Sequence, residues 1–372
     1  MYFCFVLSKA MQILDNSRHL SSKGMVATIG FFDGVHSGHK SLIADVLKIA
    51  IQNGLASGII TFKNHPKTVL SGKAMQLITS TEERLRRLAA TGTDYCILLD
   101  FTPQMAQMSA HDFIAFLHDN YNIRHLVVGY DHRFGHNINE TYDDYCRYGK
   151  ELGVTISRSG ACMPEGHKVS SSIIRRLLGE GRVHDAALLL SYDYEIEGHV
   201  VAGHQLGRRI GFPTANISCD FPEKIIPANG VYAVRVYLED NIERCGMLNI
   251  GTRPTVNGED HARTVEVHIF DFDKSIYNQH IRVEFVAYLR SERRMADSYG
   301  YTRYLYYFLI NRYFPIETLI ERYERFGRDN TGYLLHMVIY QVHKVFVVTS
   351  IKFTQHRIRA SREMALYDFG YF

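Results

Sequence analysis

The sequence predicts two fold classes in one chain, an α/β domain followed by an all-β domain. Three observations point there. Up to about Leu190, short apolar runs alternate with segments of helical period, the pattern of a parallel sheet covered on both faces. Beyond it the runs are short, close and separated by turn residues, with no helical period between them. That is the pattern of a small antiparallel barrel or sandwich. And 372 residues exceed one ordinary domain, leaving volume for two cores.

The first predicted strand is Met25–Ile29, an apolar run ending in β-branched residues. The helix after it starts near Ser37 or Gly38, with Leu42, Ile43, Val46, Leu47 and Ala50 at helical spacing. Between them lies GFFDGVHSGHKSL, residues 30–42. Strand, glycine-rich turn and helix together aim backbone N–H groups and a positive helix end at an anion. Gly30, Gly34 and Gly38 let the backbone come close to a ligand, and His36 and His39 are two donors for phosphate oxygens. No Gly-Lys-Ser/Thr follows, so this is not a P-loop. The plainer alternative is a pair of surface histidines near a tight turn.

Residues 58–62 form the second strand, and Pro66 ends it and fixes the loop that follows. Thr81 opens a helix, 94–99 is the third strand, and Ser109 caps a helix that buries Phe113, Ile114, Phe116 and Leu117. The fourth strand, 126–129, leads into Tyr130-Asp131-His132-Arg133-Phe134-Gly135. Polar or glycine-bearing motifs thus stand at the strand ends, where open α/β sheets take their ligands. A fifth such motif is 169–175, followed by Arg176 to Gly181. Read alone, Ser170 and Ser171 are helix caps and Arg175 a solvated residue. Beside His36 and His39 they read as the other side of a triphosphate site.

GFFDGVHSGH resembles the first signature of the HxGH nucleotidyltransferases, in the branch where Phe-Asp-Gly precedes the histidines. With TFKNHP, VVGYDHRFG and SSSIIRRLLGEG in order, residues 13–185 resemble the bacterial FAD synthetase module. The resemblance implies a Rossmann-like domain. It implies ATP binding at Gly30, Phe31, Asp33, Gly34, His36, His39, Ser170, Ser171 and Arg175, with Asp131 in a loop touching flavin and nucleotide. Ser172 stands where relatives often carry Thr, which keeps the hydroxyl.

In the second half, strands are predicted at 195–201, 230–237, 243–250, 264–270 and 281–289. Residues 204–216, HQLGRRIGFPTAN, read as a loop that Pro213 rigidifies, with Thr214 and Asn216 offering neutral oxygens of the kind Mg²⁺ on phosphates takes. They also read as simple turn residues. Glu266 alternates with Val265 and Val267 and so faces away from them. It is either solvent-facing decoration or, beside a phosphate loop, a general base for a hydroxyl. GFPTAN, NIGTRPT and VEVHI resemble riboflavin kinase over residues 190–294. That resemblance implies a six-stranded antiparallel barrel with Gly207, Gly211, Pro213, Thr214 and Asn216 holding Mg-ATP. It further implies Glu266 activating the ribityl hydroxyl and Arg290 near the flavin.

Charge and composition exclude little beyond this. A net charge of +3 does not by itself argue for nucleic acid. Six cysteines without a close pair give neither a zinc motif nor a disulfide framework, which suits a reducing cytoplasm. No apolar run approaches the ~20 residues of a membrane helix. Residues 1–10 read as an extension, 11–187 as the first domain and 188–297 as the second. Residues 298–372 depart from the charged helix that closes similar proteins and are rich in Tyr and Phe. They read as core, as a partner surface or as an altered reading frame, and the abrupt change of composition favours the last.

The chain is therefore identified as a member of the bifunctional riboflavin kinase/FAD synthetase family. The expected partners are riboflavin, FMN and ATP with Mg²⁺, and FMN and FAD are the expected products, with no nucleic acid or membrane. Two alternatives remain: an HxGH domain acting on a non-flavin phosphate beside an inactive barrel, and a non-catalytic flavin-binding regulator.

Overall fold

A computed structural model describes residues 10–15, 23–130, 134–137, 139–160, 169–202, 214–252 and 263–291. The expected tail at 298–372, most of the expected N-terminal extension, and Asp131, Gly207, Gly211 and Pro213 lie outside them.

The first sheet is built from β1 (Gln12–Leu14), β2 (Met25–Ile29), β3 (Ala56–Phe62), β4 (Tyr95–Leu99), β5 (Ile123–Val128) and β6 (Thr155–Arg158). Its order is β1-β4-β3-β2-β5-β6 and every pairing is parallel. Every residue of β2 and β3 is buried, as strands with helices on both faces require. The edge strands β1 and β6 went unpredicted because each is short and only partly buried. The helices are α1 (Ser37–Asn53), α2 (Pro66–Ser71), α3 (Thr81–Ala89), α4 (Pro103–Ala106), α5 (Ala110–Tyr121) and α6 (Tyr142–Leu152). Pro66 does not end a strand: β3 stops at Phe62, and Pro66 sits in the first turn of α2, where its fixed φ suits the helix. The chain leaves β2 toward β3 and β4 on one side and returns to β5 on the other. The crevice at the carboxyl ends of β2 and β5 is thus the sheet's switch point, the place where such sheets bind ligands.

Two further helices, α7 (Ser171–Gly179) and α8 (Val183–Leu190), follow. The fifth predicted motif therefore stands at a helix N-terminus and not at a strand end. Ile174, Leu177 and Leu178 of α7 and Val183, Ala186 and Leu190 of α8 share one apolar cluster with Tyr194, Ile196, Tyr232 and Phe285 of the second half. The expected domain boundary at 187/188 falls inside α8.

The second half is a closed antiparallel barrel of β7 (Glu195–Val201), β8 (Ala215–Cys219), β9 (Gly230–Tyr237), β10 (Glu243–Thr252), β11 (Arg263–Ile269) and β12 (His280–Arg290), in the order β10-β11-β8-β7-β12-β9. Alternate side chains fill it: Val265, Val267 and Ile269 of β11 are buried, while Thr264, Glu266 and His268 between them are only half-buried. One strand differs from the sequence reading. Asn216 does not lie on a loop, because Ala215–Cys219 pairs with both β7 and β11. Ala-Asn-Ile-Ser-Cys carries a single large apolar residue, too weak a signal for a strand.

The two halves are joined by polar bonds as well. Leu77 makes a strand-like bridge to the segment before β9, donating from its N–H to Glu223 O at 2.8 Å and accepting from Ile225 N at 2.9 Å. The buried Lys224 ammonium donates to Glu83 and to Ile78 O. Arg86 and Arg87 of α3 reach Glu195 of β7 at 3.1 and 2.7 Å. Burial works against the charge on Glu195, but Arg87, Lys224, Arg282 and Arg86 outweigh it and hold the carboxyl below its ordinary range.

Candidate active sites

The turn after β2 is a strained piece of backbone. Phe32 and Val35 both have positive φ, 58° and 39°, and flank Gly34 at 80°. A β-branched residue in that region is costly and persists only where its surroundings over-determine it. Here they do. The Asp33 carboxylate accepts from Ile78 N at 3.0 Å, Thr79 N at 3.1 Å, Thr79 Oγ1 at 3.2 Å and Arg175 Nη2 at 2.7 Å. Asp33 O accepts from Ser171 Oγ at 3.0 Å, Gly34 N donates to Thr79 Oγ1 at 3.1 Å, and Gly34 O accepts from Tyr192 OH at 2.6 Å. Asp33 is 2% exposed, so its carboxylate anchors the turn from inside.

Held this way, the turn delivers His36 as the N-cap of α1, its Nδ1 accepting from His39 N at 3.3 Å. The neutral ring's one proton then sits on Nε2, which makes Nε2–H a donor. The rings of His36 and His39 stack with centroids 3.6 Å apart. Gly38 permits this, since a Cβ there would stand 3.2 Å from the His36 ring. Burial lowers the His36 pKa to about 4, with Asp33 pulling it up and Arg175 pushing it further down. Both rings thus stand at the head of a 17-residue helix, where free N–H groups and the dipole favour an anion.

Around them lie residues that the sequence reading did not assign. His65 caps α2 by accepting from Lys67 N at 3.1 Å, and burial, with help from Arg175, lowers its pKa to about 4. Phe31 meets the His65 ring edge-on at 4.4 Å and carries the Arg84 guanidinium 4.0 Å from its own centroid. The signal for His65 was its position at a strand end. Thr79 and Tyr192 gave none, because their roles rest on bonds across 45 and 158 residues of sequence.

Of the predicted residues on α7, Ser170 caps the helix, with Ile173 N donating to its Oγ at 3.4 Å, and Ser171 and Arg175 both bond to Asp33. Gly30, Phe31, Asp33, Gly34, His36, His39, Ser171 and Arg175 are therefore gathered around one turn. Asp131 comes after β5 in the sequence and lies outside the described residues.

In the barrel a single rung organises the candidates. Glu266 on β11 is the direct partner of Asn216 on β8 and Asn249 on β10. Asn249 pairs in turn with Val231 of β9, and Val231 with Arg290 of β12. Cross-strand partners share a face, so Glu266 lies between two asparagines on the side away from the buried Val265 and Val267. Thr214, exposed, directly precedes β8. Asn249 was missed because only the register brings it beside Glu266. Thr214 and Asn216 carry side-chain oxygens of the kind Mg²⁺ takes, and the Glu266 carboxylate stands beside Asn216 on the neighbouring strand.

The family model for FAD synthetase matches residues 19–173, and that for riboflavin kinase matches 190–299. The bifunctional riboflavin kinase/FMN adenylyltransferase of Listeria monocytogenes is 35% identical over 74% of this chain and 87% of its own length. Its namesake from Escherichia coli K12 is 34% identical over 78% of this chain and 92% of its own. A solved structure named macrolide-efflux protein, from Streptococcus pneumoniae, superposes with a TM-score of 0.72 at 28% identity, covering 81% of this chain and 99% of that one.

Proposed function

The chain belongs to the bifunctional riboflavin kinase/FMN adenylyltransferases, and from that premise we propose how its residues divide the work of making FAD from riboflavin. The barrel phosphorylates riboflavin with ATP to give FMN. The first domain joins FMN to the adenylyl group of a second ATP and releases pyrophosphate. Among the described residues no helix is long and apolar enough to cross a membrane.

The observation that carries the assignment is the strained turn at the switch point, with two stacked histidines at the head of α1. In adenylyl transfer an FMN phosphate oxygen attacks the α-phosphorus of ATP, and the bond to the leaving pyrophosphate breaks. The attacking group is already an anion, so the protein's task is to place it and to stabilise charge. His36, His39 and the N–H groups of α1 do so on one side, and Arg175 closes the other. Gly30 and Phe31 border the nucleotide, Asp33 and Ser171 hold the turn, Ser170 opens α7, and Asp131 meets the flavin.

In the kinase step Glu266 takes the proton of the 5′-hydroxyl of riboflavin as its oxygen attacks the γ-phosphorus. Thr214 and Asn216, with Gly207, Gly211 and Pro213 before them in the sequence, hold the ATP phosphates, and Arg290 contacts the flavin. Mg²⁺ bound by Thr214 and Asn216 would neutralise phosphate charge. We take 11–187 and 188–297 as the two domains, with α8 straddling the division, and place the protein in the cytoplasm, where ATP and reduced thiols are at hand.

The test is to incubate the purified full chain with riboflavin, ATP and Mg²⁺ and to separate the flavins. FMN should appear first and FAD after it, and chelation of the metal should stop the kinase step. FAD from supplied FMN but none from riboflavin would mark the barrel as inactive. Bound flavin without turnover would mark a regulator.

A further inference from the structure

We infer that Tyr192 and Lys224, which belong to the kinase half of the chain, are positioning residues for the adenylyltransferase half. The inference rests on the reading of residues 30–39 as the adenylyl-transfer site. Its basis is the way the strained turn is held. Of the groups that fix Asp33 and Gly34, most come from the first domain, but the shortest contact to Gly34 is the Tyr192 hydroxyl, at 2.6 Å from its carbonyl. Tyr192 lies inside the riboflavin kinase match. Its ring is clamped by the Arg87 guanidinium, 3.4 Å from the centroid, and Arg87 is itself tied to Glu195 of β7. Burial pushes the Tyr192 phenol well up, so it stays a neutral donor.

Lys224 reaches the same turn indirectly, through the segment that holds Asp33. Its ammonium accepts nothing and donates to Ile78 O and to Glu83, while Ile78 N and Thr79 N donate to Asp33. One short segment, 77–79, is therefore gripped by the second domain through Lys224 and the Leu77 bridge, and by the nucleotide turn through Asp33. Thr79 Oγ1 bonds both Asp33 and Gly34 N. A turn with Val35 in the left-handed region relaxes when its restraints are removed, and a small displacement of His36 is enough to cost rate.

Tyr192→Phe keeps the ring on Arg87 and removes only the bond to Gly34. Its effect on FMN adenylylation should be a fall in kcat of about three- to tenfold, the range of one net hydrogen bond. Riboflavin phosphorylation by the same preparation should not change. Lys224→Met alone strands a buried carboxylate, so the second variant is Lys224→Met with Glu83→Gln, expected to lose adenylylation in the same selective way. The decisive readout is a double-mutant cycle with His36→Ala, since residues acting through one group are not additive. If Tyr192 acts by placing His36, Tyr192→Phe should cost little further in the His36→Ala background. Equal loss of both reactions, full additivity with His36→Ala, or no loss in either variant would overturn the inference. An unaffected His36→Ala enzyme would instead overturn the site reading beneath it.

Discussion

The turn at residues 30–39 and the Glu266 rung are the two phosphate-handling sites proposed above, and they are made rigid by opposite means. The turn is irregular: two non-glycine residues take positive φ, and hydrogen bonds from three distant segments hold it. The rung is regular: Glu266 has its place because β8 and β10 pair with β11 in one register. Preorganisation in the first case is tertiary, spread over residues 31–192. In the second it is carried by the ladder itself. The turn is thus exposed to changes far from it in sequence, whereas the rung depends on its own strands.

The largest effect expected from this contrast is at the turn. His36→Ala with His39→Ala should all but abolish FAD formation, since each preorganised donor contributes roughly a hundred- to a thousandfold. Kinase turnover in the same protein should be untouched, because the barrel closes without the turn. Unchanged FAD output would remove the turn from the comparison altogether.

Glu266→Gln is the matching change on the rung. It keeps shape and much hydrogen bonding but no basic carboxylate, so riboflavin phosphorylation should fall by ~10²- to 10⁴-fold. FMN supplied directly should still become FAD. Circular dichroism should be unaltered, since Glu266 faces away from the packed valines. Loss on both substrates with an intact spectrum would show that the two sites are coupled more tightly than their separate restraints suggest.

The smallest effect is in acid. His36 has a folded pKa of about 4, below its unfolded value, so as pH falls the unfolded chain binds the proton first. Its contribution is intact above about pH 6.5 and is lost progressively toward pH 4, a change on the order of 3 kcal/mol. His65, shifted the same way, adds to the loss. Urea unfolding across pH 7.5 to 4.5 should therefore show a smaller decline for His36→Asn than for the parent chain. Parallel declines would mean that burial of this imidazole is not what the turn sustains.

Much of this was legible in the amino-acid order alone. The strand–turn–helix around His36 follows from a short apolar run, three glycines and a helical period, all within 27 residues (25–51) of chain. Five of the six barrel strands follow from short runs punctuated by turn residues, and in one of them alternation puts Val265 and Val267 inside and Glu266 on the other face. Such signals are local, because side-chain direction repeats every two residues in a strand and every 3.6 in a helix. The tertiary structure alone decided the rest. It made Ala215–Cys219 a strand, since pairing with β7 and β11 supplies what its weak apolar pattern lacks. It put Asn249 beside Glu266 through register, and it set α7 and α8 against the barrel core. It also turned Asp33 inward to meet Thr79 and Arg175, and brought Tyr192 to Gly34. Those bonds join residues 46 to 158 positions apart. No periodicity reaches so far, and only the folded chain can say which donors meet which acceptors.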